Sequence, residues 1–226
     1  MTRFSRAFVW AGGTIFVAAL VVFGGWFLFV LGRPAPFGGW QPLMFDAALF
    51  TVFALHHSVF ARAGVKQRLA AIPPGLRRSV YVWIASLLLI LVCVAWQTVG
   101  GTLYDHHGGA AVVHSCVQLL GVWLIARSVG RLDPLELAGI REEKTGVPLQ
   151  IGGPYRIVRH PLYLGWILTL FGTAHMTGDR LTIAAISSLY LLIAVPWEER
   201  SLMQSFGEEY AAYARRVRWR VIPFVY

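Results

Sequence analysis

Charge is what this sequence has least of. Only 14% of its 226 residues are charged, against about 25% in ordinary soluble domains. That scarcity excludes a typical soluble globular chain. Cysteine is almost absent too: Cys93 and Cys116 are the two, and both fall inside apolar stretches. Cysteines there behave as small apolar residues rather than as a disulfide or a thiolate metal site. There is no low-complexity tract and no repeat. No G-x-G-x-x-G follows a strand, so the usual soluble dinucleotide fold is not indicated.

What is present is apolar residues in long blocks, at 57% of the chain. A bilayer-spanning helix needs about 20 mostly apolar residues, about 17 at the lower end. Charge-free blocks run Ala7–Leu31, Ala47–Ala61, Ser79–Tyr104, Gly108–Ala126, Pro161–Gly178 and Leu181–Trp197. They predict an all-α integral membrane fold of about six transmembrane helices. The first block is too long for a signal peptide's apolar core and lacks a small-residue cleavage site, so it is expected to be retained. Asp46 stands near the start of the second block, where a helix end is expected. The last two blocks are separated only by Thr177-Gly178-Asp179-Arg180, a turn that makes them an antiparallel hairpin. After Trp197, Leu202, Phe206, Tyr210 and Tyr213 recur at helical spacing opposite Glu208, Glu209, Arg215 and Arg216. This predicts an amphipathic helix on the inner membrane surface. Trp10, Trp26, Trp40, Trp83, Trp197 and Trp219 fall near span boundaries, as interface anchors do.

The net charge of +9 suggests nucleic acid until its placement is examined. With six spans and a cytoplasmic N-terminus, 18 of the 20 Lys and Arg residues lie on the cytoplasmic side. Arg33 and Arg180 are the exceptions. The positive-inside rule demands this asymmetry, and both termini are then cytoplasmic. The partners to expect at that face are anionic lipids rather than nucleic acid.

The hairpin carries the chemistry. Its arms, Pro161–Thr177 and Arg180–Trp197, match in length at about 1.5 Å per residue, so their cytoplasmic ends lie level. One end presents Arg159 and His160, the other Glu198 and Glu199. The helix start at Pro161 favours an anionic group. A zwitterion fits such a site, its ammonium on a glutamate and its carboxylate at the helix start and Arg159. A salt-bridge cluster that merely fixes the hairpin fits equally well. His56 and His57, at the inner end of the second block, are functional candidates because ionisable groups are costly at membrane depth. His106, His107 and His114 match no standard ligand spacing, so no metal site is expected.

The stretch Gly153-Pro154-Tyr155-Arg156-Ile157-Val158-Arg159-His160-Pro161-Leu162-Tyr163-Leu164-Gly165 resembles the signature of the isoprenylcysteine carboxyl methyltransferase family of membrane methyltransferases. So does the later run of Glu198-Glu199, Leu202, Phe206-Gly207, Tyr210, Tyr213, Val217 and Ile222-Pro223, and related forms occur in phospholipid N-methyltransferases. The front half, through His57-Ser58, Ala61-Arg62, Lys66, Arg78-Ser79 and Tyr81, resembles NnrU-type proteins and methanethiol S-methyltransferases. The resemblance implies one methyltransferase domain over 1–226. Its four N-terminal spans would occupy 1–126, and the cofactor-binding loop, hairpin and C-terminal helix 127–226. It also implies S-adenosylmethionine as donor. Tyr155, Arg159, His160 and Tyr163 would line the donor site, and Glu198 or Glu199 would bind its ammonium. Arg127 matches a possible substrate-binding arginine.

One departure from the prenylcysteine enzymes bears on the acceptor. Those enzymes carry arginine just upstream of the acidic pair, where this chain has Leu189-Tyr190-Leu191-Leu192-Ile193-Ala194-Val195-Pro196-Trp197, without a cation. The expected acceptor is therefore a small lipophilic thiol entering from the bilayer, with His57 as the base that takes its proton. Carboxyl methylation of a prenylcysteine-like molecule, with Arg127 as carboxylate anchor, is the alternative. An NADPH-dependent membrane sterol reductase and a non-enzymatic haem or metal membrane protein are rivals from other classes. Cofactor titration separates the first, and an absorption spectrum with metal analysis the second.

Overall fold

A computed structural model describes residues 2–60, 72–131, 133–141 and 146–226. Arg62, Lys66, Arg68 and Lys144, counted in the basic loops, and Ala61 of the front-half motif lie outside these residues. Five helices are long and apolar enough to cross a membrane: Arg3–Val30, Trp40–Phe60, Gly75–Ala95, Gly108–Val129 and Gly178–Phe206. The chain is a multi-pass, all-α membrane protein. It forms two compact units, the first from residues 1–101, 133–144 and 177–182, the second from 102–132, 145–176 and 183–226.

In the first unit, α1 (Arg3–Gly25) starts at Thr2, whose side chain accepts from the Ser5 N–H, and continues into a π-helical turn, Trp26–Val30. α2 is Trp40–Phe60 and α3 is Pro74–Ala95. α1 and α3 meet where Gly12 leaves room for Trp83. A Cβ on Gly12 would lie 2.7 Å from the indole nitrogen, which donates to the Phe8 carbonyl at 3.1 Å. Trp83 is thus a packing residue more than an interface anchor. Trp26 is buried as well, edge-on to Trp96.

Several expected boundaries move in this unit. The third block does not stay helical to Tyr104: α3 stops at Ala95, and residues 96–101 form an irregular segment that includes two positive-φ glycines, Gly100 and Gly101. Pro73-Pro74-Gly75 begins α3, because a proline at a helix start loses no hydrogen bond. Asp46 is fully buried inside α2 rather than at a helix end, and its Oδ1 accepts from the Gln97 N–H at 2.9 Å. The expected turn Thr177–Arg180 is largely helix, since Gly178 already starts α7 (Gly178–Phe206). Asp179 explains the early start. Its carboxylate accepts from the Trp96 indole and from the Val99 and Gly100 N–H groups, each at 2.9 Å. Arg180 is buried and donates to the Phe27 and Leu28 carbonyls, in the π-helical turn where α-helical pairing is broken.

In the second unit, α4 (Gly108–Val129) packs on α6 (Pro161–Phe171) through glycines. A Cβ on Gly121 would lie 2.6 Å from the Gly165 carbonyl oxygen, and one on Gly165 2.8 Å from that of Gly121. Small residues at such a contact let two backbones approach without water to drive them together. α5 (Pro134–Leu137) is a single turn belonging to the first unit. A short strand β1 (Thr102–Asp105) pairs with β2 (His175–Thr177), so the apolar block that starts at Pro161 ends as a helix at Phe171. With 11 residues, α6 rises about 16 Å, short of the hydrocarbon thickness of about 30 Å.

The helix expected to begin after Trp197 is also different. α7 runs on to Phe206, Gly207 breaks it with a positive φ of 52°, and α8 is Glu208–Arg216. The tyrosine face of α8 is covered by protein. Tyr210 and Tyr213 are buried with Val217 against Leu149, Tyr155, Leu202 and Phe206.

Candidate functional site

All the residues of the site below belong to the second unit. Its backbone is set by a non-local pairing. The Arg159 N–H donates to the Trp219 carbonyl at 2.9 Å and the His160 N–H to the Arg220 carbonyl at 2.8 Å. His160 caps α6, and Pro161 follows it. Glu198 and Glu199 come from α7, just past Pro196.

Glu199 is enclosed by cations. Arg159 Nε donates to its Oε1 at 2.6 Å, Arg220 Nε lies 3.1 Å from its Oε2, and His160 Nε2 lies 3.5 Å from Oε1. Both Glu199 and Arg159 are largely buried, at 12% and 9% side-chain exposure. Arg159 also donates through Nη1 to the carbonyls of Ala214, Val217 and Arg218. Its Nη2 makes no hydrogen bond among the described residues.

Glu198 is differently placed. Tyr163 donates to its Oε2 at 2.6 Å, and His160 Nδ1 lies 3.5 Å from the same oxygen. Its side chain is 44% exposed, and Oε1 has no partner among the described residues. His160 is buried and stacks on Tyr163, ring centroids 5.3 Å apart. That stack fixes the imidazole between the two carboxylates.

Tyrosines line the rest. Burial first, then the Glu198 charge, push the Tyr155 hydroxyl above its ordinary range, against a smaller opposite pull from Arg131. Burial and then Glu199 raise Tyr210 in the same way. Both therefore stay protonated donors throughout the physiological range. The Tyr210 hydroxyl is buried and faces Glu199, without a well-formed hydrogen bond among the described residues. Tyr213 donates to the Tyr155 carbonyl at 2.8 Å, joining α8 to the signature loop.

An orphaned buried hydroxyl, a half-exposed carboxylate with a bare oxygen and a guanidinium with one unused nitrogen suit a zwitterion that also carries donor and acceptor atoms. An aminocarboxylate such as that of S-adenosylmethionine fits this set. Sequence reasoning brings Tyr155, Arg159, His160, Tyr163, Glu198 and Glu199 to one place, and the structure does the same. Sequence reasoning assigns Arg220 no role beyond its charge, whereas the structure sets it on Glu199. The signal was indirect: a buried carboxylate has two oxygens to satisfy, and Arg159 reaches only one.

Arg127 is exposed in the last turn of α4, and among the described residues no hydrogen bond or ion pair ties it to the cluster. His57 belongs to the first unit. Its Nδ1 is hydrogen-bonded to the Tyr81 hydroxyl at 2.8 Å, and its ring stacks on Phe53. Beside it, His56 stacks on Phe60 and on Tyr81.

Comparison with known proteins places the chain in a family. The family model described as phospholipid methyltransferase matches residues 115–209, which include Arg159, His160 and both glutamates. A methanethiol S-methyltransferase from Crocosphaera subtropica is 37% identical over 81% of this chain and 75% of its own length. The methanethiol S-methyltransferase of Mycobacterium tuberculosis is 33% identical over 81% of this chain and 78% of its own. Nurim from Xenopus laevis is 30% identical over 65% of this chain and 57% of its own. No solved structure matches. With relatives this similar over most of both chains, and with the signature residues gathered at one site, the chain belongs to the family of membrane methyltransferases that includes the methanethiol S-methyltransferases.

Proposed function

We propose that this enzyme methylates a small lipophilic thiol with S-adenosylmethionine as donor. The observation that carries the donor assignment is the split between the glutamates. Glu199 is held by Arg159 and Arg220, with His160 beside it, while Glu198, on a half-exposed side chain, keeps Oε1 for an ammonium. Arg159 Nη2 is left for the donor's carboxylate, and Tyr155, His160 and Tyr163 form the adjoining wall. When bound, the donor supplies a methyl group on a cationic sulfur, which a thiolate takes as the carbon–sulfur bond breaks and a neutral thioether leaves.

The chain's own work is to bind, align and generate the thiolate. The apolar run Leu189–Trp197 offers no cation to a carboxylate acceptor, and the relatives are named for a thiol. A thiol's unperturbed pKa lies above 7, about 8.5 for cysteine, so a base assists near neutral pH. His57 takes that proton on Nε2 in the tautomer whose Nδ1–H donates to the Tyr81 hydroxyl. A membrane site suits an acceptor that arrives through the bilayer while the polar donor arrives from the cytoplasm. Both termini are cytoplasmic in this reading, and the basic faces beside them meet anionic lipids.

Calorimetric titration of the purified chain with S-adenosylmethionine and with NADPH tests the donor. Saturable binding of the first alone is expected, and binding of NADPH alone would make the protein a reductase. For the base, His57→Ala should depress thiol turnover most near neutral pH, with partial recovery as pH rises and donor affinity unchanged. An equal loss at every pH would remove His57 from that role.

A further inference from the structure

The ring cluster around His56 is unused by the chemistry above. His56 is flanked by Phe60, centroids 4.8 Å apart and planes 28° apart, and by Tyr81 at 5.6 Å and 13°. Tyr81 also touches His57, which stacks on Phe53. Both His56 ring nitrogens are shut off from solvent, and neither has a hydrogen-bond partner among the described residues. A buried polar atom without a partner is costly, about 1–3 kcal/mol in mutational work, and native proteins keep few of them without a use. His57 differs in the one respect that matters: its Nδ1 is already taken by Tyr81.

A neutral imidazole has one N–H donor and one bare nitrogen. What would satisfy it here must be small, because aromatic rings crowd it. It must also be largely apolar, because the surroundings are rings on a membrane helix, and it must carry one group that hydrogen-bonds weakly in both directions. Water meets the last condition but not the second. A small alkyl thiol meets all three: its sulfur accepts weakly, its S–H donates weakly, and sulfur packs well at ring edges.

We infer that His56 is the residue that binds the acceptor's sulfur, its imidazole edge holding a small alkyl thiol against the faces of Phe60 and Tyr81. This rests on the thiol reading given above and adds the group that recognises the sulfur. Binding and deprotonation are then divided between adjacent residues. His56, whose nitrogens have no partner among the described residues, holds the sulfur, and His57, oriented by Tyr81, takes the proton.

The test uses the full chain in detergent or nanodiscs, with ethanethiol as acceptor and S-adenosylmethionine as donor. His56→Phe keeps a ring in the stack and removes both nitrogens. His56→Gln keeps a donor and an acceptor. The Phe variant should raise the ethanethiol KM about tenfold, which is about 1.4 kcal/mol, with the donor KM unchanged. The Gln variant should stay within about threefold of wild type, as one retained hydrogen bond of about 1 kcal/mol implies. A Phe variant with the wild-type thiol KM overturns the assignment. Should that variant not fold, the wild-type chain labelled with 15N-histidine decides. The imidazole resonance missing from His56→Gln should move on ethanethiol addition, and an unmoved resonance overturns the proposal. A wild-type protein that methylates no thiol contradicts the functional reading itself, which is a different outcome.

Discussion

Glu199 gives both of its oxygens to cations, whereas Glu198 leaves one bare. Adjacent residues of one type should therefore respond differently to the same change. Glu198→Gln should weaken S-adenosylmethionine binding at least tenfold with little effect on thermal unfolding, because losing a charge-assisted partner costs about 2–5 kcal/mol in binding. Glu199→Gln should unfold at a distinctly lower temperature. It leaves Arg159, at 9% side-chain exposure, without its countercharge, and breaking a buried pair costs about 3–5 kcal/mol. Calorimetry and thermal unfolding on both variants check this, and a Glu198→Gln protein with wild-type donor affinity contradicts the division. Arg159, His160 and the glutamates were legible in the sequence because charge is so rare here that any cluster at the edge of an apolar block stands out. Arg220 was not legible. It reaches Glu199 only because residues 219 and 220 pair with 159 and 160 through backbone hydrogen bonds, and nothing in a side-chain pattern announces such a pairing.

At the level of elements, the α4–α6 contact is the most constrained. A Cβ on Gly121 would meet the backbone of Thr169 and Gly165 at 2.5–2.6 Å, and backbone cannot swing aside as a side chain can. Gly121→Ala should destabilise the protein by about 1–3 kcal/mol, the usual cost of overpacking. Thermal unfolding measures it, and an unchanged midpoint would mean that the helices separate freely there. Element existence followed from apolar block length, but element ends did not. The acidic pair after Trp197 ends an apolar block without ending a helix, since Glu, Arg, Leu, Met and Gln all favour helix. The positive φ of Gly207 is what ends it. The amphipathic pattern around Tyr210 and Tyr213 was real, but a periodicity shows that one face is apolar, not whether protein or lipid covers it. Here protein does. Asp46 and Asp179 were equally opaque, because their partners are backbone N–H groups 51 and 80 residues away in the chain.

For the whole molecule, the distribution of basic residues and the helix lengths make separate demands. Five long helices alone would leave the termini on opposite faces, whereas the positive-inside rule favours both in the cytoplasm. Were both termini cytoplasmic, the short α6 would have to supply a sixth crossing. Reporter fusions at the N-terminus and at Tyr226 should read the same side, with a fusion near Asp105 on the other. Opposite readings at the two termini would confine α6 to one leaflet.

The central claim is that a donor held by Glu198 delivers its methyl group to a small thiol. The most direct measurement is transfer of label from methyl-labelled S-adenosylmethionine to a panel of small alkyl thiols, prenylcysteines and amines by the purified chain. The account predicts labelled thioether from the alkyl thiols, abolished or severely reduced in Glu198→Gln at subsaturating donor. Label appearing in the prenylcysteine carboxyl ester, and in none of the thiols, would contradict it.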